Sequence, residues 1–314
     1  MEVRVTFFHG FGQDQIRHFG APFGTFAPIV SLSGWALNSV REKFGYSPKV
    51  SVTQSQKATY VAFANRTVQA AGEATLRYFR EGMEAQNKAT GGEAFDPVTE
   101  ADRAAETIIR DALAREFPTH GICGEEFGYE SGNGLTWVID PIDGTREFMS
   151  GMLQWGVLLA LFDGDTPIVG AMYQPYTGEL FYGDAERSFF VRGGHRRQMS
   201  TAANAEVSEA VLASTGLDWF NAVDRRRFDQ LRKQVRLCRF GGDCYLYALV
   251  AMGHIHLGTD AGLNAYDIQA LIPIIQGAGG VVSTYEGGNA SMGGSVLASA
   301  NAGLHTAALE MLNR

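Results

Sequence analysis

Two segments early in the chain carry apolar and small residues at helical spacing. They are 60–79, which contains no proline, and 99–117, which ends before Pro118. A period near 3.6 residues predicts an amphipathic helix in each segment. Thr99 precedes the second helix as a suitable N-cap, and Asp102 follows three residues later, where an acid can complete a capping box.

The apolar pattern then shortens to brief runs separated by turn signals such as "DGDT" and "YTGE". Runs of this length between turn residues predict an antiparallel meander of strands. The predicted strands are 121–123, 135–140, 155–162, 167–175, 179–184 and 188–193.

Near residue 194 the pattern changes again, because strand-like and helix-like runs begin to alternate. Such alternation is typical of a Rossmann-like α/β unit. The predicted strands are 209–215, 236–242, 255–260 and 281–287, and the predicted helices are 228–235, 244–253 and 265–280. We therefore predict an N-terminal α+β subdomain at 57–193 and a smaller C-terminal α/β subdomain at 194–314.

Residues 1–56 mix Gly, Pro, Phe and His without a clear period. We interpret them as an N-terminal extension that is either loosely ordered or not native, the product of an upstream start codon. The run 26–37 is apolar enough for the core of a signal peptide, but the residues before it are not markedly basic and no clean cleavage site follows. Secretion is therefore not the favoured interpretation.

Composition narrows the possible partners and compartment. The chain has 314 residues, 45% of them hydrophobic, and a net charge of −8, which disfavours nucleic acid and anionic membrane surfaces as partners. No apolar run reaches the roughly 18–20 residues needed to span a bilayer. The three cysteines form no CxxC pair, which fits a reducing cytoplasm better than a disulfide framework or a zinc ribbon.

The stretch "WVIDPIDGTREF" at 137–148 holds the most unusual chemistry. A strand-like run ends in Asp140, and Asp143 follows three residues later, so two carboxylates and the carbonyl of Ile142 surround one point. Hard cations prefer such oxygen ligands. The next residues, Gly144 and Thr145, begin what we predict to be a short helix, whose first N–H groups can hold a phosphate.

Three other acidic groups have local explanations when each is considered alone. They are Asp102 within "DPVTEAD", Glu125 within "GEE", and Asp267 within "AYD". Asp102 can complete a capping box, Glu125 can lie in a solvated loop, and Asp267 can be a first-turn acid favoured by the helix dipole.

These motifs together, in this order and spacing, resemble the inositol-monophosphatase superfamily of Mg²⁺-dependent, lithium-sensitive phosphatases. The resemblance covers roughly residues 57–314 and includes "GAGG" after the last acid. It implies a layered αβαβα sandwich, a homodimer and a small phosphorylated metabolite as substrate. It also implies two to three Mg²⁺ ions in each active site, for which Mn²⁺ can substitute.

The resemblance assigns roles to individual residues. Glu125, Asp140 and the Ile142 carbonyl resemble the ligands of a first metal ion, and Glu125 those of a third, weaker one. Asp140, Asp143 and Asp267 resemble the ligands of the second. Asp102 and Thr145 resemble the pair that orients and deprotonates the attacking water, and Gly144 and Thr145 lie where the phosphate binds.

Within the superfamily, "GTREFMSGMLQWGVLLAL" and "RFGGDCYLYALVAMGHIHL" are most similar to the histidinol-phosphate phosphatase branch, which acts in histidine biosynthesis. Asp243 and Asp260 fall where the family contacts the end of the substrate beyond the phosphate, and two acids there suit the cationic amine of histidinol. A helix N-cap is the structural alternative for Asp243. Trp155 and Tyr266 are candidates for stacking on an imidazole, or else core residues.

Two positions depart from the branch. Asp260 replaces a longer Glu, and His256 replaces an Asp and is read as a strand residue rather than a ligand. The alternatives are an inositol-1-monophosphatase, a broad-specificity sugar or nucleotide phosphatase of the same superfamily, or a non-catalytic metal- or phosphate-binding protein. Asp163 and Asp165 also suggest a haloacid-dehalogenase motif, but Pro167 breaks it, so a hairpin turn is expected there.

Overall fold

Two helices near the start of the described chain pack side by side on one face of a sheet. The computed structural model describes residues 49–81, 100–203 and 206–314, and the backbone of two short strands, β1 (Gln86–Asn87) and β2 (Pro97–Val98). Helix α1 spans Gln54–Thr75 and α2 spans Glu100–Glu116. Both predicted helices are thus present.

Helix α1 begins earlier than the sequence pattern predicts. Thr53 caps it, and the side chain of Gln56 reaches back to the Thr53 backbone in a capping box. The predicted N-terminal extension, 1–56, therefore ends inside this helix. Its first 48 residues, with the apolar run 26–37, lie outside the described residues, as does the proposed N-cap Thr99.

The first large sheet contains the predicted meander. Its eight strands lie in the order β10-β9-β8-β7-β6-β5-β3-β4, and each neighbouring pair is antiparallel except β3 and β5, which run parallel. The strands are β3 (Gly121–Gly124), β4 (Gly128–Glu130), β5 (Thr136–Asp143), β6 (Gly156–Phe162), β7 (Pro167–Gln174), β8 (Glu179–Gly183), β9 (Ser188–Arg192) and β10 (His195–Gln198). The predicted boundary at 193/194 falls within the β9–β10 hairpin.

The second sheet has the order β12-β11-β13-β15-β14. Strand β11 runs parallel to β12 and β13, as a Rossmann-like unit requires, whereas β15 is antiparallel to both of its neighbours. The strands are β11 (Val211–Ser214), β12 (Leu237–Phe240), β13 (Leu257–Leu263), β14 (Val281–Thr284) and β15 (Gly294–Ser299). Strand β15 and the helix after it were not predicted from the pattern.

The remaining helices are short. They are α3 (Thr145–Met149), α4 (Ala222–Arg232), α5 (Asp243–Ala251), α6 (Ala265–Ile268), α7 (Leu271–Gly277) and α8 (Ala302–Leu312). The single helix predicted at 265–280 is therefore divided into α6 and α7. No helix in the described ranges combines the length and apolar character that a membrane crossing needs.

Five layers result from this arrangement, and they confirm the predicted αβαβα sandwich. Helices α1 and α2 cover the outer face of the first sheet, α5 and α7 lie between the sheets, and α4 and α8 cover the second sheet. Along β5, Trp137 and Ile139 pack toward α1 and α2, while Val138 packs toward the central helices. Because both faces are covered, the strand reads as a continuous apolar run until it reaches the acids.

Candidate active site

The pairing of β3 with β5 brings the acidic motifs of Glu125 and Asp140 together. Strand β3 runs parallel to β5, with Gly124 opposite Ile139, so the carboxyl ends of the two strands lie at the same edge of the sheet. The backbone N–H of Glu125 donates to the Ile139 carbonyl at 3.2 Å. Glu125 therefore follows its strand beside Asp140, although 15 residues separate them in the sequence.

A β-bulge brings Asp140 and Asp143 to the same side of the sheet. Two residues spaced by three along a regular strand point to opposite faces. Here Asp140 pairs with Leu158 and Asp143 pairs with Gly156, so β5 carries one more residue than β6 between the two pairs. The extra residue bends the strand and redirects the side chain that follows it.

Asp267 completes the cluster from the other half of the molecule. It lies on α6, and ligand oxygens of Asp140, Asp143 and Asp267 all lie within 4.8 Å of one another. Asp267 also accepts a hydrogen bond from the backbone N–H of Asn264 at 2.6 Å. Asp267 is therefore both a first-turn acid of α6, as the sequence suggests, and a member of the acidic cluster.

The carboxylates of this cluster repel one another when they are ionised. Burial, followed by the charges of Glu125, Asp143 and Asp267, raises the pKa of Asp140 well above its ordinary value, and Asp140 is only 2% exposed. Burial also raises the pKa of Asp143 to about 7, although the Cys244 amide donates to it. The pKa of Asp267 is raised well above its ordinary value by burial and by Asp143.

The donor set suits a hard divalent cation. Among the described residues, no Lys or Arg forms an ion pair with Asp140, Asp143 or Asp267, so nothing in that part of the chain neutralises them. Every donor is an oxygen, as Mg²⁺ prefers. The cluster therefore fits the metal ion that the sequence analysis expects.

The other expected site residues surround the cluster. The Asp140 carboxylate accepts a hydrogen bond from the Ile142 N–H at 3.1 Å, which holds the turn across Pro141. The Thr145 hydroxyl donates to the Ile142 carbonyl at 3.1 Å. Asp102 is fully buried on α2, and its charge contributes to the raised pKa of Asp140.

Glu106 is a positioning residue that the sequence analysis missed. It is fully buried and accepts hydrogen bonds from the N–H groups of Glu126 at 2.8 Å and Phe127 at 3.2 Å. Arg110 donates to it at 2.8 Å. A Cβ at Gly124 would lie 1.8 Å from a Glu106 carboxylate oxygen, so only glycine allows this approach. Glu106 thereby fixes the backbone that follows Glu125.

We expect Glu106→Gln to weaken Mg²⁺ binding by about 10- to 100-fold, the range for residues that orient metal ligands. Gln keeps one acceptor oxygen and places its NH₂ group against the donors of the other, so the turn that follows Glu125 loses part of its anchor. Calorimetric titration with Mg²⁺ measures the effect. Glu130→Gln is the matched control, because Glu130 also pairs with Arg110, at 2.6 Å, but is exposed. Equal affinity in the two variants would contradict this role.

A cavity of about 370 Å³ opens from the acidic cluster toward solvent. Both halves of the chain line it, including Gly144, Thr145, Asp243, Asp260 and Tyr266. A second β-bulge lies here, because Asp260 pairs with Val296 while Leu263 pairs with Gly294. Every residue expected in the site lines this cavity, except Asp102 and the stacking candidate Trp155.

Asp243 has an unusual conformation in the cavity wall. Its φ of +42° lies in the left-handed region, which is uncommon for residues other than glycine. It is the first residue of α5 and Gly242 is the N-cap, so the alternative that Asp243 is itself the N-cap is wrong. Its Oδ2 is buried and receives no hydrogen bond from the described residues. Burial and the charges of Asp143 and Glu147 raise its pKa to about 10.

The Asp260 carboxylate is hydrogen-bonded by neighbouring residues of the protein. Its carboxylate accepts hydrogen bonds from the Ser214 hydroxyl at 2.9 Å, the Thr215 N–H at 2.7 Å and hydroxyl at 3.1 Å, and the Tyr247 hydroxyl at 3.0 Å. Burial raises its pKa to about 6, and these hydrogen bonds oppose the rise. Four donors nearly saturate a carboxylate, so Asp260 anchors the loop after β11.

The two aromatic candidates for stacking have different environments. Trp155 is fully buried and packs with Phe79 and Phe148, so it is a core residue and not a ligand contact. Tyr266 is partly buried and lines the cavity. His256 lies one residue before β13 and accepts the Val211 N–H at 3.1 Å, away from the cavity.

The Asp163–Asp165 pair forms a turn, as the sequence analysis expects. It connects β6 to β7, and one Asp163 oxygen accepts the N–H groups of Asp165 at 2.9 Å and Thr166 at 2.8 Å. This turn does not line the cavity described above.

Comparison with known proteins agrees with this geometry. The model of the inositol monophosphatase family matches residues 56–314. The chain belongs to the inositol monophosphatase family, whose members are metal-dependent phosphatases acting on small phosphorylated substrates.

Relatives with two different substrates are similar to this chain. A histidinol-phosphatase of Chlorobaculum parvum is 37% identical over 74% of this chain and 88% of its own length. An inositol-1-monophosphatase of Caulobacter vibrioides is 32% identical over 77% of this chain and 96% of its own length. The solved inositol monophosphatase of Zymomonas mobilis gives a TM-score of 0.73 at 32% identity, covering 83% of this chain and 100% of that one.

Proposed function

We propose that this protein is a Mg²⁺-dependent phosphomonoesterase whose principal substrate is histidinol phosphate. The observation that carries the substrate assignment is the buried Oδ2 of Asp243, which no donor among the described residues reaches, in a cavity wall that also holds Glu147. The similarity to the histidinol-phosphatase of Chlorobaculum parvum supports it. The homodimer follows from the family resemblance alone and the cytoplasmic location from the cysteine pattern, and both stay predictions.

Glu125, Asp140, Asp143, Asp267 and the Ile142 carbonyl would hold the metal ions. Bound Mg²⁺ supplies charge that stabilises the phosphoryl transition state and lowers the pKa of an attacking water. The Ile142 carbonyl already accepts the Thr145 hydroxyl, but a carbonyl oxygen has two lone pairs and can accept a second partner.

Asp102 and Thr145 are proposed to receive the proton of the attacking water. A hydroxyl donates a single hydrogen bond, and that of Thr145 now goes to Ile142. The pairing with Asp102 therefore requires the hydroxyl to turn away from the Ile142 carbonyl. Gly144 and Thr145 line the cavity, and their backbone N–H groups are proposed to bind the phosphate.

The charges of the cavity favour a cationic substrate. Beyond the metal-ligand residues, the described lining includes four acids: Glu147, Asp218, Asp243 and Asp260. Arg146 is the only Lys or Arg in that lining, and it pairs with Asp218 at 3.7 Å. Its raised pKa keeps Asp243 protonated in the free protein, and a neutral polyol would leave it so. The ammonium group of histidinol phosphate would favour the ionised carboxylate and form a charge pair with it.

We expect Asp243→Asn to lower kcat/KM for histidinol phosphate by about 30-fold or more, because a desolvated charge pair loses about 2 kcal/mol or more when one charge is removed. Asn tolerates the left-handed backbone of this position, so the fold is kept. Turnover of inositol 1-phosphate, measured as phosphate release with Mg²⁺, should change little.

Three outcomes of this assay would count against the proposal. Faster turnover of inositol 1-phosphate than of histidinol phosphate by the unmodified protein would assign the inositol activity instead. Equal losses for both esters in Asp243→Asn would remove the role in amine recognition. No phosphate release from any ester would indicate a metal- or phosphate-binding protein without catalysis.

A further inference from the structure

An exposed tryptophan lies in the cavity wall where the sequence analysis expects no site residue. Trp219 belongs to the loop between β11 and α4, lines the cavity, and is 47% exposed. Indole rings are usually much more buried than this in folded proteins. A large aromatic surface left open inside a binding cavity is a natural contact for a flat, apolar part of a ligand.

Neighbouring residues hold this indole in place. The guanidinium of Arg146 lies over the ring at 4.7 Å from its centroid, and the same guanidinium pairs with Asp218 at 3.7 Å. The backbone of β13 also lies close to the base of the side chain, because a Cβ at Gly262 would contact the Trp219 Cβ at 3.5 Å. An aromatic ring fixed before binding loses little side-chain entropy when a ligand stacks on it.

The base of the same loop is anchored by Asp260. The four hydrogen bonds from Ser214, Thr215 and Tyr247 tie the end of β11 to β13, three residues before Asp218. Asp260 therefore influences the cavity through the position of this loop rather than through a free carboxylate. Trp219 is the aromatic group that the loop presents to the cavity.

We propose that Trp219 is a specificity-determining residue that stacks on the heteroaromatic ring of the substrate, with Arg146 and Asp218 as positioning residues. The inference rests on the proposed function and adds to it a recognition element for the ring. The acidic wall at Asp243 contacts the amine, and the indole contacts the imidazole. Trp155, which the sequence offered for this role, is excluded because it is fully buried.

The kinetic test compares two phosphate esters in Trp219→Ala and Trp219→Phe, with Mg²⁺ present. Histidinol phosphate has a ring, whereas ethanolamine phosphate has an amine and a phosphate but no ring. Trp219→Ala should raise KM for histidinol phosphate about tenfold, the range of aromatic stacking, and leave kcat/KM for ethanolamine phosphate within about twofold. Trp219→Phe should recover most of the loss, because it keeps a ring.

Tyr176→Ala is the matched control. Tyr176 is 52% exposed and lies under Arg80 at 4.8 Å, which closely resembles the Trp219–Arg146 pair, but it does not line the cavity. It should leave both esters unaffected. Equal losses for the two esters in Trp219→Ala, or the same loss in Tyr176→Ala, would assign Trp219 a structural role and overturn the proposal.

A binding measurement separates this inference from the proposed function. L-Histidinol added to the Mg²⁺-loaded protein should change its tryptophan fluorescence, and Trp219→Phe should abolish that change, since Trp137 and Trp155 are fully buried. The fourth tryptophan, Trp35, lies outside the described residues, so Trp35→Phe is the control and should keep the change. If histidinol phosphate is hydrolysed but Trp219→Ala keeps its KM, this inference alone fails. If histidinol phosphate is not hydrolysed, the proposed function fails, and a missing Trp219-dependent signal overturns this inference as well.

Discussion

Asp140→Asn is expected to lower Mg²⁺-dependent phosphatase activity by more than about 100-fold, beyond the range for residues that only orient ligands. Asp140 lies at the centre of the site, because Glu125, Asp143, Asp267 and Asp102 all influence its pKa. An amide provides one neutral oxygen where two proposed metal positions share a carboxylate. Phosphate release and calorimetric Mg²⁺ titration measure the two consequences together.

Asp163→Asn is the matched control for this substitution. Asp163 is also buried, and it accepts two backbone N–H groups in the β6–β7 turn, which an Asn oxygen can still accept. It should retain activity and Mg²⁺ affinity. Normal activity of Asp140→Asn at ordinary Mg²⁺ concentrations would show that the assignment of Asp140 as a shared ligand is wrong.

Asp140→Asn should raise the stability of the metal-free protein, although it lowers the activity. Asp140 is buried among like charges, so its removal relieves a desolvation and repulsion cost in the folded state. Activity and metal-free stability should therefore move in opposite directions, which is typical of sites whose residues are arranged for function rather than stability.

The second large effect concerns pH. In the presence of EDTA, the free energy of unfolding should fall as pH rises from about 4 to about 7. Aspartates ionise near pH 3.9 in the unfolded chain, whereas the folded pKa is about 7 for Asp143 and about 6 for Asp260, and is raised well above the ordinary value for Asp140 and Asp267. At these carboxyls the folded state binds more protons than the unfolded state over this window. Burial lowers the pKa of His120, His256 and His305, which opposes the effect, but the raised carboxyls outnumber these histidines.

Stability therefore decreases with pH, by up to about 1.4 kcal/mol per pH unit for each such carboxyl. Saturating Mg²⁺ should remove or reverse the slope, because its ligands bind in the ionised form. Urea denaturation between about pH 4.5 and about pH 7.5 measures how the free energy of unfolding changes with pH, once with EDTA and once with Mg²⁺. A metal-free stability that rises across this window would contradict the account of the acidic cluster.

The local pattern of apolar and polar residues was sufficient to predict most of the helices and strands. The apolar runs of β5 and β6 are long and bounded by turn residues, so their existence is predictable from the sequence. Element ends were less predictable. Helix α1 begins at Gln54 because Thr53 and Gln56 form a capping box, and the helix predicted at 265–280 divides where α6 ends at Ile268.

The chemical types of the site were also visible in the sequence. Five acids in recognisable motifs, with Asp140 and Asp143 at a strand end, point to a hard cation because carboxylates this close need a counter-charge. The motif order then indicated the family. These conclusions depend only on residue type and spacing, which the sequence contains in full.

Other features of the site depend on contacts between distant segments. The bulge between Asp140 and Asp143 exists only in the pairing of β5 with β6, and Glu106 acquires its role only because Gly124 lets it reach the amides after Glu125. The sequence also offered Trp155 as a possible stacking residue, whereas the structure buries it and exposes Trp219.

The sequence by itself thus determined which residue types are proposed to meet the phosphate. The tertiary structure decided which carboxylates are available and which ring is exposed. The physical reason is that ionisation, hydrogen-bond saturation and exposure depend on neighbours in space. Asp260 and Asp243 are the same residue type in the same cavity, yet the first accepts four hydrogen bonds and the second keeps a buried oxygen without a donor among the described residues.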